Sequence, residues 1–320
     1  MLTREKNSVF FRGYFIEVVV RAKCYLLKGL NNPNWLLMSI LGRFGFIRNV
    51  AVALQKSTSQ KQQTINPESV FTNVNVPDAV EHLNKDGLYL GVELSQQSVS
   101  KIRDFALSVP CYGNRDAKLG FLYTEKDKAQ KEHGHTFLTA QYYNTSLLCS
   151  EIRALGNDSR LIEIASRYLK AEPLFTGSRL WWNFAVNDEQ PYDSSQTITF
   201  FHYDLDDYAC VRFFFYLTDV DAESGPHTCV LGSHRKKSLS HVLMPVKRRS
   251  DDAIIDFYGS DNIVSITGAT GFGFAEDTFC YHKATRPLRR DRLMLQIQFA
   301  TRNYGLHNDL KDFSLLKNVI

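Results

Sequence analysis

The segment TFFHYDLDDYACVRFFFYL, residues 199–217, sets two titratable residues, His202 and Asp204, inside an otherwise apolar and aromatic run. A run of this kind reads as a buried strand. In a strand, residues i and i+2 project from the same face, so His202 and Asp204 stand side by side and Tyr203 turns away. An imidazole and a carboxylate on one face are two members of a facial metal-binding set. Two histidines and one carboxylate on one face of an octahedral metal leave its other positions open, which suits non-haem Fe(II) oxygen chemistry. A structural zinc site would ask for closed tetrahedral coordination, with more nitrogen or sulfur.

The third ligand must come from elsewhere in the chain, and histidines at 82, 133, 135, 227, 234, 241, 282 and 307 are available. His282, in TFCYHK, is the best placed, because a late strand can be brought opposite an early one. His133 and His135 lie in the polar HGHT stretch, where surface histidines are common, and His234 in LGSHR reads as part of a turn or rim. Chemistry that uses 2-oxoglutarate also needs a cation for the distal carboxylate, and the planar fork of arginine pairs with it bidentately. Arg286, Arg289, Arg290 and Arg292 follow His282. Only Arg292 opens a strand, RLMLQIQFA, in which Leu293, Leu295, Ile297 and Phe299 alternate with Arg292, Met294, Gln296 and Gln298. The apolar set predicts a helix-covered face and the other set a face toward a cavity. Each residue also has an ordinary alternative: a histidine at a strand end, turn chemistry in DLDD, a core histidine, an arginine paired with Asp291.

These residues need a frame of strands. From residue 177 onward, SRLWWNFAV, QTITFFHYD, YACVRFFFYLTDV, PHTCVLGSH, NIVSITG, GFGFAE, TFCYHKAT and DRLMLQIQFA follow one another with Gly, Asp, Asn and Pro between them. About eight short strands with turn signals predict a sandwich or jelly roll. Upstream, residues 76–175 read as mainly helical support. LSQQSVSKIRDFALSV puts Val99, Ile102, Phe105 and Val109 on one face behind a Ser95 N-cap, and DSRLIEIASRYLKAEP does the same with Leu161, Ile164, Ala165, Tyr168 and Leu169. Between them, 111–145 shows no clear period and reads as a long loop or lid over the substrate. The expected organisation is a helical extension over 1–54, a polar linker over 55–75, the helical support over 76–175, the β core over 176–305 and a tail over 306–320. The fold class is mainly β with flanking helices.

Residues 1–48 hold eight Lys/Arg and two Asp/Glu, a local balance of +6 against +4 for the whole chain. Two readings follow for 1–54. The helices VFFRGYFIEVVVRAKCYLLKGL and NWLLMSILGRFGFIRNVAVAL either pack on the main domain, or lie on an anionic membrane with Arg12, Arg21, Lys23, Lys28, Arg43 and Arg48 at the headgroups. Packing is the expectation, since the basic residues do not form one stripe. The small net charge argues against nucleic-acid binding. The 320 residues are 44% hydrophobic and 22% charged, a globular profile with length for a large core. Six cysteines without a C-x-x-C, no run of about 18 uncharged apolar residues and no signal-peptide pattern predict reduced thiols and a cytoplasmic setting.

Taken together, HYD at 202–204, SGPHTCVLGSHR at 224–235, ITGATGFGFAEDTFCYHKAT at 266–285 and DRLMLQIQFA at 291–300 resemble the phytanoyl-CoA dioxygenase family of Fe(II)/2-oxoglutarate oxygenases. The likeness covers roughly residues 75–302, and the N-terminal 70 residues have no counterpart in it. It implies a double-stranded β-helix, iron held by His202, Asp204 and His282, and 2-oxoglutarate held by Arg292, with O2 as the oxidant. Asn183 and Thr199 are further candidate contacts to the cosubstrate. The chain departs from the family where a small polar residue often stands two positions after the late histidine: Ala284 cannot hydrogen-bond there, and Thr285 is the nearest substitute. In related halogenases a small residue replaces the carboxylate, so the presence of Asp204 predicts hydroxylation or a related oxidation of an unactivated C–H.

The expected partner is a small organic molecule of biosynthetic tailoring or lipid metabolism. Segments 111–145 and 235–262 are expected to rim its cavity, where Lys236, Lys237, Lys247, Arg248 and Arg249 would attract an anionic or carrier-bound substrate. Tyr142, Tyr143, Trp181 and Trp182 are candidates for an apolar lining. The rival class is a cupin-like jelly roll, a non-catalytic binding module or an isomerase, which has no need of an arginine at position 292 inside the cavity.

Overall fold

The computed structural model describes residues 27–55, 69–186, 199–244, 247–305 and 309–320. Most of the first N-terminal helix read from the sequence, residues 56–68 of the polar linker, the first three residues of QTITFFHYD and His307 lie outside the described residues.

Among the described residues, eleven strands form two antiparallel sheets. They are β1 (Leu88–Leu90), β2 (Cys111–Gly113), β3 (Gly120–Phe121), β4 (Thr139–Gln141), β5 (Leu174–Asn183), β6 (Cys210–Tyr216), β7 (His227–Val230), β8 (Ile263–Ile266), β9 (Gly273–Glu276), β10 (His282–Ala284) and β11 (Arg292–Ala300). The large sheet has the order β1-β9-β6-β11-β5-β4-β2-β3, and the small one β10-β7-β8. This is the expected jelly roll with flanking helices. The register puts Arg292 opposite Asn183, Gln296 opposite Arg179 and Phe214, and Gln298 opposite Arg212.

The alternation along the central strands separates two environments. Leu180 and Trp182 of β5, Val211, Phe213 and Phe215 of β6, and Leu293, Leu295, Ile297 and Phe299 of β11 join one core with the helices Gln96–Ser108 and Ser159–Leu169. Those helices form where the period predicts them. Ser95 caps the first through the Ser98 N–H, and Asp158 caps the second through Arg160 and Leu161. The opposite face of the same strands carries polar side chains. A second, drier cluster, including Phe214, Tyr216, Cys229, Phe274 and Met294, closes the space between the sheets at one end.

Three expectations change. Residues 111–145 are not a structureless lid: β2, β3 and β4 extend the large sheet, with the helix Lys126–His133 between them. Backbone pairing with Trp181, Trp182 and Asn183 decides this, which no local period reveals. The second N-terminal segment breaks into the helices Pro33–Leu41 and Gly45–Gln55. At the break, a Cβ on Gly42 would stand 2.7 Å from the Met38 carbonyl oxygen and 3.1 Å from Leu205. Segment 199–206 makes only isolated bridges, Phe201 to Arg249 and His202 to His282.

The described part of the N-terminal extension packs on the β core. Trp35 and Met38 are buried with Phe201, Tyr203, Leu205 and Phe279. Arg48, a candidate headgroup contact, is instead buried: its Nε donates to the Tyr208 carbonyl at 2.8 Å, and its guanidinium lies 3.8 Å over the Phe279 ring and 3.4 Å from Asp277. Among the described residues, no helix is long and apolar enough to cross a membrane. The five described cysteines are all buried and free.

Burial of the N-terminal helix makes a stability prediction. Met38 is fully buried, whereas its neighbour Leu37 is 55% exposed. Met38→Ala should cost about 2–5 kcal/mol, and Leu37→Ala no more than about 0.5 kcal/mol. Urea unfolding of the two variants checks this; equal small effects would show that the extension is not part of the cooperative core.

Candidate metal centre

His202 and His282 meet through their backbones before their side chains do anything. The His202 N–H donates to the His282 carbonyl at 3.0 Å, and the His282 N–H returns the bond at 2.8 Å. Strand β10 is held in turn by β7, with His282 opposite Cys229. Two residues on, the Asp204 N–H donates to the Thr278 carbonyl at 2.8 Å. These bonds bring together side chains 80 positions apart in the chain.

The side chains converge. The His202 Nε2 lies 3.8 Å from one Asp204 carboxylate oxygen, and the His282 Nε2 lies 3.8 Å from the other. One ligand atom from each residue falls within 4.8 Å of the others, and this is the metal-capable group of three among the described residues. Each imidazole turns its Nδ1 to a backbone carbonyl, His202 to Phe200 at 3.1 Å and His282 to Cys280 at 3.0 Å. An Nδ1–H donated to a carbonyl fixes the tautomer and leaves Nε2 as the lone-pair donor aimed at the centre. Burial, and then the neighbouring His202, pushes His282 down to about 4. Burial also lowers His202. Both rings are thus neutral at neutral pH. Burial opposes the charge on Asp204, but Arg212, joined by the two imidazoles once they are protonated, outweighs it and holds the carboxyl well below the usual range. The donor set fits a divalent metal: two neutral nitrogens and one carboxylate.

Arg212 is the residue that the initial motif reading missed. It is buried on β6, and its guanidinium bonds both Asp204 and Asp206 while its Nε donates to Gln298 Oε1 at 2.9 Å. Its signal was present: one charge in the apolar run YACVRFFFYL. His227, one of the histidines available as a third ligand, is not part of the group of three. It stacks on His282 with ring centroids 5.4 Å apart, and its Nε2 meets Glu276 at 2.8 Å. Burial raises the Glu276 carboxyl to about 8 and lowers His227 to about 3, so the pair is buried as neutral partners.

A cavity of about 300 Å³ opens beside the triad, and Asn183, Arg292, Met294, Gln296 and Trp181 line it together with the three ligands. Arg292 is only 1% exposed. Its guanidinium donates to the Gly225 carbonyl and, at 2.7 Å, to Asn183 Oδ1, both neutral acceptors. Its Nε is buried without a hydrogen-bond partner among the described residues. Asn183 Oδ1 also accepts from Trp181 Nε1 at 2.9 Å. Of the other residues singled out in the sequence, Tyr142 and Tyr143 line the cavity, and Ala284 rather than Thr285 faces it. The Thr285 hydroxyl donates to the Pro226 carbonyl at 2.6 Å. Thr199 is not among the described lining residues.

The basic segment 235–262 contributes none of the described lining residues. Arg235 and Lys237 instead border a separate groove of about 940 Å³, against the N-terminal helices and away from the triad. There the Lys237 ammonium sits 4.0–4.5 Å from the rings of Tyr203, Phe279 and Tyr281. The segment joins β7 to β8, and its Arg249 N–H donates to the Phe201 carbonyl at 2.7 Å.

No family model matches the chain, and no curated protein matches it. Solved structures do. The epimerase SnoN, in complex with Fe3+, alpha ketoglutarate and nogalamycin RO, is 13% identical, with a TM-score of 0.50 over 72% of this chain and 87% of its own. EctD from S. alaskensis with bound Fe is 13% identical, with a TM-score of 0.49 over 82% and 96%. HygX from Streptomyces hygroscopicus with nickel and 2-oxoglutarate bound is 13% identical, with a TM-score of 0.49 over 77% and 95%. At this identity the likeness to SnoN shows the fold alone.

Arg212 gives a prediction for the centre. Arg212→Leu leaves Asp204 and Asp206 unpaired in a buried site, so stability should fall by about 3–5 kcal/mol. Affinity for Fe(II) should fall about 10- to 100-fold, because Asp204 loses the contact that orients it. Denaturant unfolding and an anaerobic Fe(II) titration measure the two effects. Unchanged affinity in a folded variant would mean that Asp204 needs no such support.

Proposed function

We propose that the protein is an Fe(II)/2-oxoglutarate-dependent oxygenase, of the phytanoyl-CoA dioxygenase type, that hydroxylates an unactivated C–H of a small organic substrate. The observation that carries this reading is Arg292. A guanidinium that is 1% exposed, without a carboxylate partner among the described residues, stands in the same cavity as a two-histidine, one-carboxylate set. A buried charge is costly without a counter-ion. The distal carboxylate of 2-oxoglutarate supplies one, with the free Nε of Arg292 as a ready donor. A cupin-like binding module or isomerase gives no reason to bury this cation. The presence of iron and alpha ketoglutarate in SnoN, on the same fold, supports the reading.

In this assignment His202, Asp204 and His282 hold the iron, and Arg292 and Asn183 orient the cosubstrate. Iron with bound 2-oxoglutarate and O2 supplies the oxidant for an unreactive C–H bond. The protein's part is positional. The Nδ1–carbonyl bonds keep both imidazoles from rotating, and Arg212 keeps the Asp204 carboxylate ionised and aimed. Asp204 fills the ligand position that a halide would need, which favours hydroxylation over halogenation. Asn183, held by both Trp181 and Arg292, presents a rigid wall beside the cosubstrate. Thr285 acts only indirectly, through its hold on Pro226.

Anaerobic addition of Fe(II) and 2-oxoglutarate to the purified protein should produce a weak visible charge-transfer band that needs both additives. Asp204→Ala should abolish it. Arg292→Leu should retain Fe(II) binding but weaken 2-oxoglutarate about 10- to 100-fold, the cost of one charge-assisted pair. A folded wild-type protein that gives no band and does not bind 2-oxoglutarate would sink the oxygenase assignment in favour of a binding module.

A further inference from the structure

Two more arginines reach the same cavity, and the assignment above gives neither a role. Arg179 projects from β5 on the face shared with Trp181 and Asn183. Arg115 enters from the turn after β2 and is exposed at the cavity mouth. Arg212 is matched by Asp204 and Asp206. Among the described residues, neither Arg115 nor Arg179 has a carboxylate in ion-pair contact. The nearby Asp309 gives one oxygen to the N–H and the hydroxyl of Thr145; its other oxygen is buried without a hydrogen-bond partner among the described residues, and its charge acts on Arg179 without ion-pair contact.

The turn that presents Arg115 is built for the purpose. Asn114 and Arg115 both have positive φ, 49° and 65°. For residues with a side chain each such position costs about 1–2 kcal/mol and persists only where surrounding bonds enforce it. Those bonds are present. Asn114 donates its N–H to the Thr139 carbonyl at 2.8 Å, its Oδ1 accepts from Leu138 at 3.1 Å, and the Arg115 carbonyl accepts from the Tyr143 hydroxyl at 3.2 Å.

Register separates these cations from the cosubstrate. Arg292 pairs with Asn183 and Arg179 with Gln296, four residues apart along both strands. That spacing is about 13 Å at the rise of a strand. With 2-oxoglutarate held at Arg292 by one end and at the metal by the other, both its ends are committed and Arg179 remains unmatched. We infer that Arg115 and Arg179 bind an anionic group of the primary substrate, a carboxylate or phosphate ester on a small organic molecule. This rests on the oxygenase reading for the position of the cosubstrate. Desolvation in the cavity lowers both arginines from their ordinary value and Arg212 adds to this at Arg179, while Asp204 acts the other way on both and Asp206 on Arg179. A cavity of about 300 Å³ is at the small end for ligand sites, roughly 300–1,000 Å³, and it must also admit the cosubstrate. The substrate is therefore compact. The anionic partner anticipated from segment 235–262 is thus met by different residues, on the sheet itself.

The test loads the full-length protein with Fe(II) and 2-oxoglutarate under argon and follows tryptophan fluorescence, Trp181 being in the cavity wall. Benzoate or sulfate is titrated with ionic strength held constant by chloride. Saturable binding is expected in the wild type. Arg179→Gln and Arg115→Gln should each weaken it roughly 10- to 100-fold, and Arg179→Lys by less, while the iron–cosubstrate band forms at unchanged concentrations. Tighter benzoate binding indicates a carboxylate substrate and tighter sulfate binding a phosphate or sulfate ester; both support the site. No saturable response in the wild type, or binding untouched in both glutamine variants, overturns it. So does a loss of 2-oxoglutarate affinity in Arg179→Gln equal to the loss for benzoate, since the arginine would then serve the cosubstrate. Benzoate binding that survives in a wild-type protein with no band keeps the anion site and counts against the oxygenase reading alone.

Discussion

The reciprocal backbone hydrogen bonds between His202 and His282 are the contact on which the site depends. A metal set needs donors placed to within fractions of an ångström, and side chains on separate segments achieve that only if their backbones are locked first. Here two bonds lock them, and each histidine then spends its Nδ1 on a carbonyl two residues before it. The same local device at both histidines leaves both Nε2 atoms facing the one carboxylate between them. The small sheet supports the arrangement because β10 has no other strand partner than β7 among the described pairings.

The second organising constraint is charge. The inner face of the large sheet carries Arg179, Arg212 and Arg292 at buried or half-buried positions, with Arg115 above them. Each must be matched or must await an anion. Arg212 is matched within the protein and thereby shapes Asp204. Arg292 has only neutral acceptors, and Arg115 and Arg179 have no carboxylate contact among the described residues. This gradation, from a fully paired arginine beside the metal to unpaired ones on either side, reads as a charge pattern for ligands rather than as a stabilising network. The helix-covered face of the same strands, apolar but for small side chains such as Ser178, provides the folding energy that permits it.

The N-terminal helices join the β core through an unexpected residue. The basic charge of this region suggested an outward role, but Arg48 turns inward, over Phe279 and toward Asp277. Asp277 also accepts from the Tyr168 hydroxyl at 2.7 Å, so the extension, the helix Ser159–Leu169 and the strand leading to His282 share one carboxylate. Phe279 itself lies three residues before His282. The extension is therefore packed against the backbone that aims a ligand.

Local sequence was enough for whatever depends on a period or a cap. The i, i+2 spacing of His202 and Asp204, the alternation in RLMLQIQFA, the two capped helices and the series of short strands all follow from backbone geometry that a few neighbouring residues decide, and the jelly roll follows from their order. Long-range pairing was not legible. Residues 111–145 carry too few apolar positions per strand to show a period, and they became strands because β5 offered them an unpaired edge. Segment 235–262 was read as a cavity rim from its charge, but charge does not say which side of a sheet a loop crosses. The histidine that completes the triad, the carboxylates that match Arg212, and the arginines left without one are relations between residues tens of positions apart. Only the tertiary structure decides them, because burial and proximity, not residue type, determine which charge must find a partner and which is kept for a ligand.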